Sequence, residues 1–177
     1  MSESRGRDVE VHKKLSANDI GLTGSHQAGI HIPKQDGVLS FFPPLDEESY
    51  NPSCEIAAHL KPGGRRLTLR YIHYNGKLTR DGTRDEYRLT GTPEIFRTLD
   101  ALPGDLLKLS YLPSGEMEIS IHHEDDDGDF GVDASAPVPG GDDHSSPGST
   151  AVSSREVSSK NGWTVIRVVI ETREKGE

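Results

Sequence analysis

A single cysteine, Cys54, in 177 residues excludes an internal disulfide framework and any cysteine-rich zinc site. It reads as a small buried or half-buried thiol. No apolar run comes near the roughly 20 residues that cross a bilayer. The opening MSESRGRDVEVHKKL lacks the apolar centre of a signal peptide. A cytoplasmic protein with no membrane partner is therefore expected. Aromatic residues make up 6% of the chain, hydrophobic residues only 32%, and 19 glycines and 11 prolines punctuate it. With a mean hydropathy of -0.63, that composition argues against a large all-helical core. The length fits one domain better than two.

Catalytic and cofactor signatures are missing as well. There is no phosphate-cradling GxxxxGK[ST], no dinucleotide GxGxxG and no HExxH, nor a G-x-S-x-G nucleophile elbow. A metal nuclease needs clustered acids on adjoining strands with a Lys or His nearby. Asp125, Asp126 and Asp127 are instead consecutive, in glycine-rich sequence, and form no preset cage. His122-His123-Glu124 reads as a solvated strand end rather than a metal site. The expectation is a chain with no catalytic residue, no metal ligand and no cofactor.

The net charge of -9 would argue against a nucleic-acid partner, but the acid is unevenly placed. Residues 1–122 hold 15 Lys+Arg against 17 Asp+Glu, whereas residues 123–162 hold 2 against 9. Across the second stretch Gly, Ser, Pro and Asp dominate. Such a segment buries too little apolar surface to offset its ordering entropy, so residues 124–162 are expected to be a flexible insertion or linker. Without it, the remaining chain can present a basic face.

Before residue 123 the sequence reads as short strands separated by turn signals. Strands are expected at residues 9–15, 29–33, 54–60, 67–74, 86–90, 105–112 and 116–122, with the last two joined by a hairpin at Pro113-Ser114-Gly115. Ser16-Ala17-Asn18-Asp19 has the S-x-x-D pattern of a helix start, which Gly21 limits to about a turn. Thr92-Pro93-Glu94 should open a second short helix running to Leu99, with Thr92 as cap, proline in the first turn and an acid near the positive end. Residues 163–172 (WTVIRVVIET) form a last β-branched strand. It either returns to the barrel or begins a following domain, with the first preferred. The expected fold is mostly β (α+β), a barrel or sandwich of seven or eight strands with two short helices. Its units are residues 1–123, the acidic stretch 124–162, and residues 163–177.

Two polar segments stand out. In residues 24–34, glycines bracket His26, Gln27, His31 and Lys34. Residues 77–88 place Lys77, Arg80, Arg84 and Arg88 around Glu86 on a loop between two strands. A basic loop can follow a phosphate backbone by releasing counterions. Arg pairs bidentately with guanine O6 and N7, and Glu accepts from the cytosine amino group. Arg84, Glu86 and Arg88 are spaced two apart, so on a strand they project to one face. The plainer reading is a solvated hairpin with ordinary ion pairs.

The string LSANDIGLTGSHQAGIHIPK, residues 15–34, resembles the start of the amino-terminal effector domain of EcoRII-type (type IIE) restriction endonucleases, with the LSAND, TG, HQ, G and IP elements in order. Tyr74-Asn75, a basic loop and then Thr83-Arg84-Asp85-Glu86-Tyr87-Arg88 follow at the right distance, similar to the family's T-R-N-E-K-R. The resemblance covers residues 13–91. It implies a B3-like pseudobarrel that grips the DNA major groove with two arms, residues 25–34 and 77–88. By position, His26 occupies the family's DNA-contacting histidine and His31 stands where a tyrosine is found. Arg84, Glu86 and Arg88 match base- or backbone-contacting residues. Lys77 matches an arginine with one extra loop residue allowed, Arg80 replaces the charge of a lysine expected at Gly82, and Lys13 and Lys14 fall at a phosphate-touching pair.

The resemblance further implies a non-catalytic DNA-binding module of a bacterial restriction-modification enzyme. Its partner would be double-stranded DNA with a short G·C-rich site of the CC(A/T)GG kind. Cleavage would fall to a separate nuclease domain of a longer chain, with Mg²⁺ needed only there. Two readings from other classes stand beside it: a restriction nuclease using scattered acids, and an interaction module whose acidic stretch mimics DNA.

Overall fold

The computed structural model describes residues 9–24, 29–34, 36–80, 82–123, 150–160 and 162–172. Among them nine strands and three short helices follow one another as β1 (Val9–Lys14), β2 (Ile30–Ile32), α1 (Asp36–Leu39), β3 (Ser53–Lys61), β4 (Arg66–Tyr74), α2 (Gly76–Thr79), β5 (Glu86–Thr90), α3 (Thr92–Thr98), β6 (Leu106–Tyr111), β7 (Met117–His122), β8 (Thr150–Lys160) and β9 (Trp163–Thr172). One sheet holds all nine strands in the order β2-β5-β4-β3-β7-β6-β1-β9-β8. Every pairing is antiparallel except β3 with β7, where Ala58 to Lys61 run alongside Met117 to Ser120.

Alternation along the strands decides which face is buried. Ile30 and Ile32 on β2, Leu69 and Tyr71 on β4, Leu89 on β5, Leu107 and Leu109 on β6, and Met117 and Ile119 on β7 all point into one core. Phe41 and Phe42, just after α1, plug it by packing on Tyr111 and Tyr71, with ring centroids 4.9 Å apart in both pairs. Cys54 is half-buried, and burial pushes its thiol up from the ordinary value.

The curl of the sheet brings its far strands together. Trp163, 1% exposed, donates its indole Nε1–H to the carbonyl of His31 at 3.2 Å. A side chain of β9 thus bonds to the backbone of β2, which lies at the opposite end of the strand order. At the same corner Lys14 N–H donates to Gly162 O at 2.7 Å, and Val9 to Lys13 pair with Arg167 to Trp163. The last strand therefore belongs to the sheet.

Four expectations need correction. Residues 150–160 fall in the stretch expected to be flexible, yet they form β8, because strand-forming β9 offers them a hairpin partner from Thr150↔Thr172 to Lys160↔Trp163. The strand total rises to nine through β8, and the helices number three because the four-residue α1 and α2, too short to show a period of 3.6, join α3 while no helix forms after Ser16. Ser16 and Asp19 make both bonds of a capping box, Ser16 N–H to Asp19 Oδ2 at 2.8 Å and Asp19 N–H to Ser16 Oγ at 3.2 Å, but only turns follow before Gly21 at φ 83°. Finally, α3 is capped by Gly91 at φ 88° with no side-chain bond, so Thr92 is its first residue and not its cap.

Candidate nucleic-acid interface

The two polar segments meet on neighbouring strands. In the β2–β5 pairing His31 lies opposite Arg88, and in the β4–β5 pairing Tyr74 lies opposite Glu86. Residues opposite each other share a face, as do Glu86 and Arg88 two apart on one strand. Tyr74, Glu86, Arg88 and His31 therefore occupy the face turned away from the core residues Tyr87 and Leu89.

Glu86 is the centre of this face. Arg88 donates to it from Nε at 3.0 Å and Nη2 at 3.4 Å, and Arg84 Nε approaches its Oε1 at 3.8 Å. These cations hold the Glu86 carboxyl below its ordinary value, the hydrogen bond from Arg88 contributing most and burial opposing. Arg84 also lies over the Tyr74 ring, 5.2 Å from its centroid, with its side chain 56% exposed.

Arg88 departs from expectation. It is buried, at 6% exposed, and its Nη1 donates to Gly29 O at 3.4 Å, so it joins the foot of the first arm to Glu86 of the second. Arg84 precedes β5, so the shared strand projection expected of three residues applies only to Glu86 and Arg88. Gly29 must be glycine here. Its φ is 84°, and a Cβ would lie 2.1 Å from Leu89 O. That contact is how the first arm's foot seats directly on β5.

The second arm has a rigid base that sequence reasoning missed. Asn75, 1% exposed, donates from Nδ2 to Ser49 O at 2.7 Å, accepts from Asn51 N–H at 2.8 Å, and donates its own N–H to Asn51 Oδ1 at 3.2 Å. From it springs α2, closed across the loop by Lys77 N–H to Arg84 O at 2.8 Å and Gly82 N–H to Gly76 O at 3.2 Å. Lys77 and Leu78 are exposed on α2. Arg80 stacks over Tyr50, 4.1 Å from its centroid. The signal that could have found this base is the Asn51/Asn75 pair, two turn-forming residues 24 positions apart that only the pairing of β3 with β4 brings together.

On the core-facing side of β5 a second cluster ties the arms. Asp85 accepts from Lys34 Nζ and, at 3.0 Å, from His73 Nε2. His73 is buried and stacked on Tyr87, with centroids 3.9 Å apart. A carboxylate only accepts, so His73 carries its proton on Nε2. The Lys34 ammonium, then His73, hold the Asp85 carboxyl below its usual range.

His31 is exposed and borders an open cleft of about 540 Å³ lined also by Lys13, Lys14, Ser16, Asp19 and Trp163. Desolvation pushes its imidazole below the ordinary value, with Glu86 opposing and Arg88 and Lys13 adding. Lys13 is buried and spent on Asp19 at 3.0 Å, while Lys14 is exposed at the cleft's rim. His26 and Gln27 lie outside the described residues. The structure thus gathers His31, Lys34, Lys77, Arg80, Arg84, Glu86 and Arg88 around the β2–β5–β4 edge, with Lys14 across the cleft. Among the described residues, no group of three or more His, Cys, Asp or Glu could hold a metal ion.

The family profile "Restriction endonuclease EcoRII, N-terminal" matches residues 7–138. The chain belongs to this family. It is 38% identical over 104 residues to the type II restriction enzyme EcoRII of Escherichia coli, a match covering 56% of this chain and 25% of that enzyme. The EcoRII-family chain thus spans about a quarter of the length of that relative. Among solved structures it is similar to Arabidopsis FUS3 in complex with DNA, at 18% identity and a TM-score of 0.48, over 63% of this chain and 94% of that one. It is also similar to the UbaLAI restriction endonuclease B3 domain with cognate DNA, at 20% identity and a TM-score of 0.43, over 64% and 66%.

Proposed function

We propose that this chain binds double-stranded DNA sequence-specifically, as the effector or specificity module of a type II restriction endonuclease, and does not itself cut DNA. The observation that carries the reading is the arrangement around Glu86. A carboxylate able to accept from a cytosine amino group sits between Arg84 and Arg88, beside a loop carrying exposed Lys77 and Arg80. Arg84 supplies the exposed guanidinium for guanine. Lys77, Arg80 and Lys14 supply phosphate contacts that set register, and Arg88 shapes the face by fixing Glu86. His26, Gln27 and His31 belong to the first arm, which enters the same groove. Family membership supports this assignment.

The site in this reading is short and G·C-rich, of the CC(A/T)GG kind. Cutting belongs to a separate nuclease domain with its own Mg²⁺. Selecting bound duplexes from a random pool tests the reading: enrichment of one short motif is expected, and recovery of unenriched sequence refutes it. Incubating the chain with Mg²⁺ and plasmid carrying the motif should leave the plasmid intact.

A further inference from the structure

Asp85 is not among the residues that face the groove. It immediately precedes β5, next in sequence to Glu86, and its carboxylate joins three elements: its own strand entry, Lys34 just beyond β2, and His73 on β4. Lys34 ends the first arm and Asp85 lies within the second, so this carboxylate fastens one arm to the other. His73 is held in place by stacking on Tyr87 and is 5% exposed at its side chain, which gives the fastening a fixed anchor. Lys34 is the flexible member, with 45% of its side chain exposed and its ammonium 5.9 Å from the Tyr87 ring centroid.

We infer that Asp85 is a specificity-determining positioning residue, which fixes the spacing of the two arms and keeps the Lys34 ammonium off the DNA backbone. The inference rests on the DNA-binding reading above. Every cation that reaches a phosphate adds affinity for all sequences alike and steepens the fall of binding with salt. An ammonium neutralised by a neighbouring carboxylate adds nothing to either. Asp85 therefore lowers binding to random DNA while holding the arms where Glu86 and Arg84 meet base edges.

Asp85→Asn keeps the shape and the bond from His73 but removes the charge that retains Lys34. Affinities of wild type, Asp85→Asn, Lys34→Gln and the double variant should be measured over a salt series on two duplexes, the selected motif and a scrambled sequence. Asp85→Asn should bind the scrambled duplex about five- to tenfold more tightly near 0.1 M salt, with a log–log salt slope steeper by about 0.9. Its preference for the motif should fall. Lys34→Gln alone should leave the slope unchanged, and adding it to Asp85→Asn should restore the wild-type slope. A purely structural role for Asp85 would weaken binding without steepening the slope. The inference is overturned if Lys34→Gln alone lowers the slope by about 0.9, since Lys34 would then already sit on a phosphate. It is equally overturned if a folded Asp85→Asn keeps the wild-type slope and preference. Should Asp85→Asn fail to fold, the exposed Lys34→Gln decides the matter through both readouts: an unchanged slope with a reduced preference for the motif is expected, and a lowered slope or an unchanged preference overturns the inference. Failure of the underlying reading looks different: wild type would then bind both duplexes equally or neither.

Discussion

Trp163 donates its indole N–H to the carbonyl of His31 at 3.2 Å, which ties the C-terminal hairpin to the strand that carries the first arm. The bond closes a curled sheet without a continuous ladder, by one side chain reaching across to one carbonyl. Trp163→Phe keeps most of the ring volume but leaves that carbonyl without its donor. A loss of about 1–2 kcal/mol is expected, read as a lower urea midpoint at unchanged m-value, together with weaker binding to the selected motif.

Arg84 and Glu86 should separate in their effects. Arg84→Ala is expected to cost about 1–3 kcal/mol on the selected motif and much less on a scrambled duplex. An equal loss on both would make it a phosphate contact. Glu86→Gln should relax the preference at one C·G pair while tightening scrambled binding, because Arg84 and Arg88 lose the carboxylate they now share. Base substitutions through the motif, titrated against each variant, report both effects.

Gly29→Ala should destabilise the fold by about 2–4 kcal/mol. The added methyl would collide with Leu89 O in a backbone conformation that L-residues rarely adopt. The same unfolding measurement applied to Gly21→Ala provides the contrast. Gly21 also has positive φ, but nothing lies within 4 Å of its Cβ position, so a loss of only about 1 kcal/mol is expected.

Acid should weaken the fold partly through Glu10. Its carboxyl is lowered to about 2, chiefly by the hydrogen bond to His12 and against the opposing effect of burial, with Lys108 adding. For a depressed acid the stabilisation is complete above the unfolded-state value, near 4.5, and drains away as the pH falls towards 2. Glu10→Gln should therefore be less stable than wild type at pH 6 by on the order of 1–2 kcal/mol. The two proteins should converge only as the pH reaches about 2, as urea midpoints across that range would show.

Most of the strands were legible because their side chains alternate. Residues 86–90 and 163–172 coincide with β5 and β9, since β-branched and aromatic residues there meet clear turn signals. β8 was hidden because its sequence, TAVSSREVSS, carries few apolar residues and takes its order from a partner strand. The candidate site was legible in its charges but not in its geometry. Spacing alone could not reveal that Arg88 turns inward to Gly29 and Glu86, nor that Asp85 reaches Lys34, 51 positions away. Such pairings depend on register between strands, which a single sequence does not display.

The parallel seam between β3 and β7 divides the sheet into β2-β5-β4-β3 on one side and β7-β6-β1-β9-β8 on the other. The first set is one contiguous stretch of chain, β2 through β5, but the second is not, because β1 comes first in sequence yet lies between β6 and β9. Trimming the first strand would therefore not shorten the sheet from its border. It would open a gap in the interior, exposing two raw edges at Leu106 to Leu109 and Trp163 to Arg167 and setting the C-terminal hairpin adrift from the arm it braces.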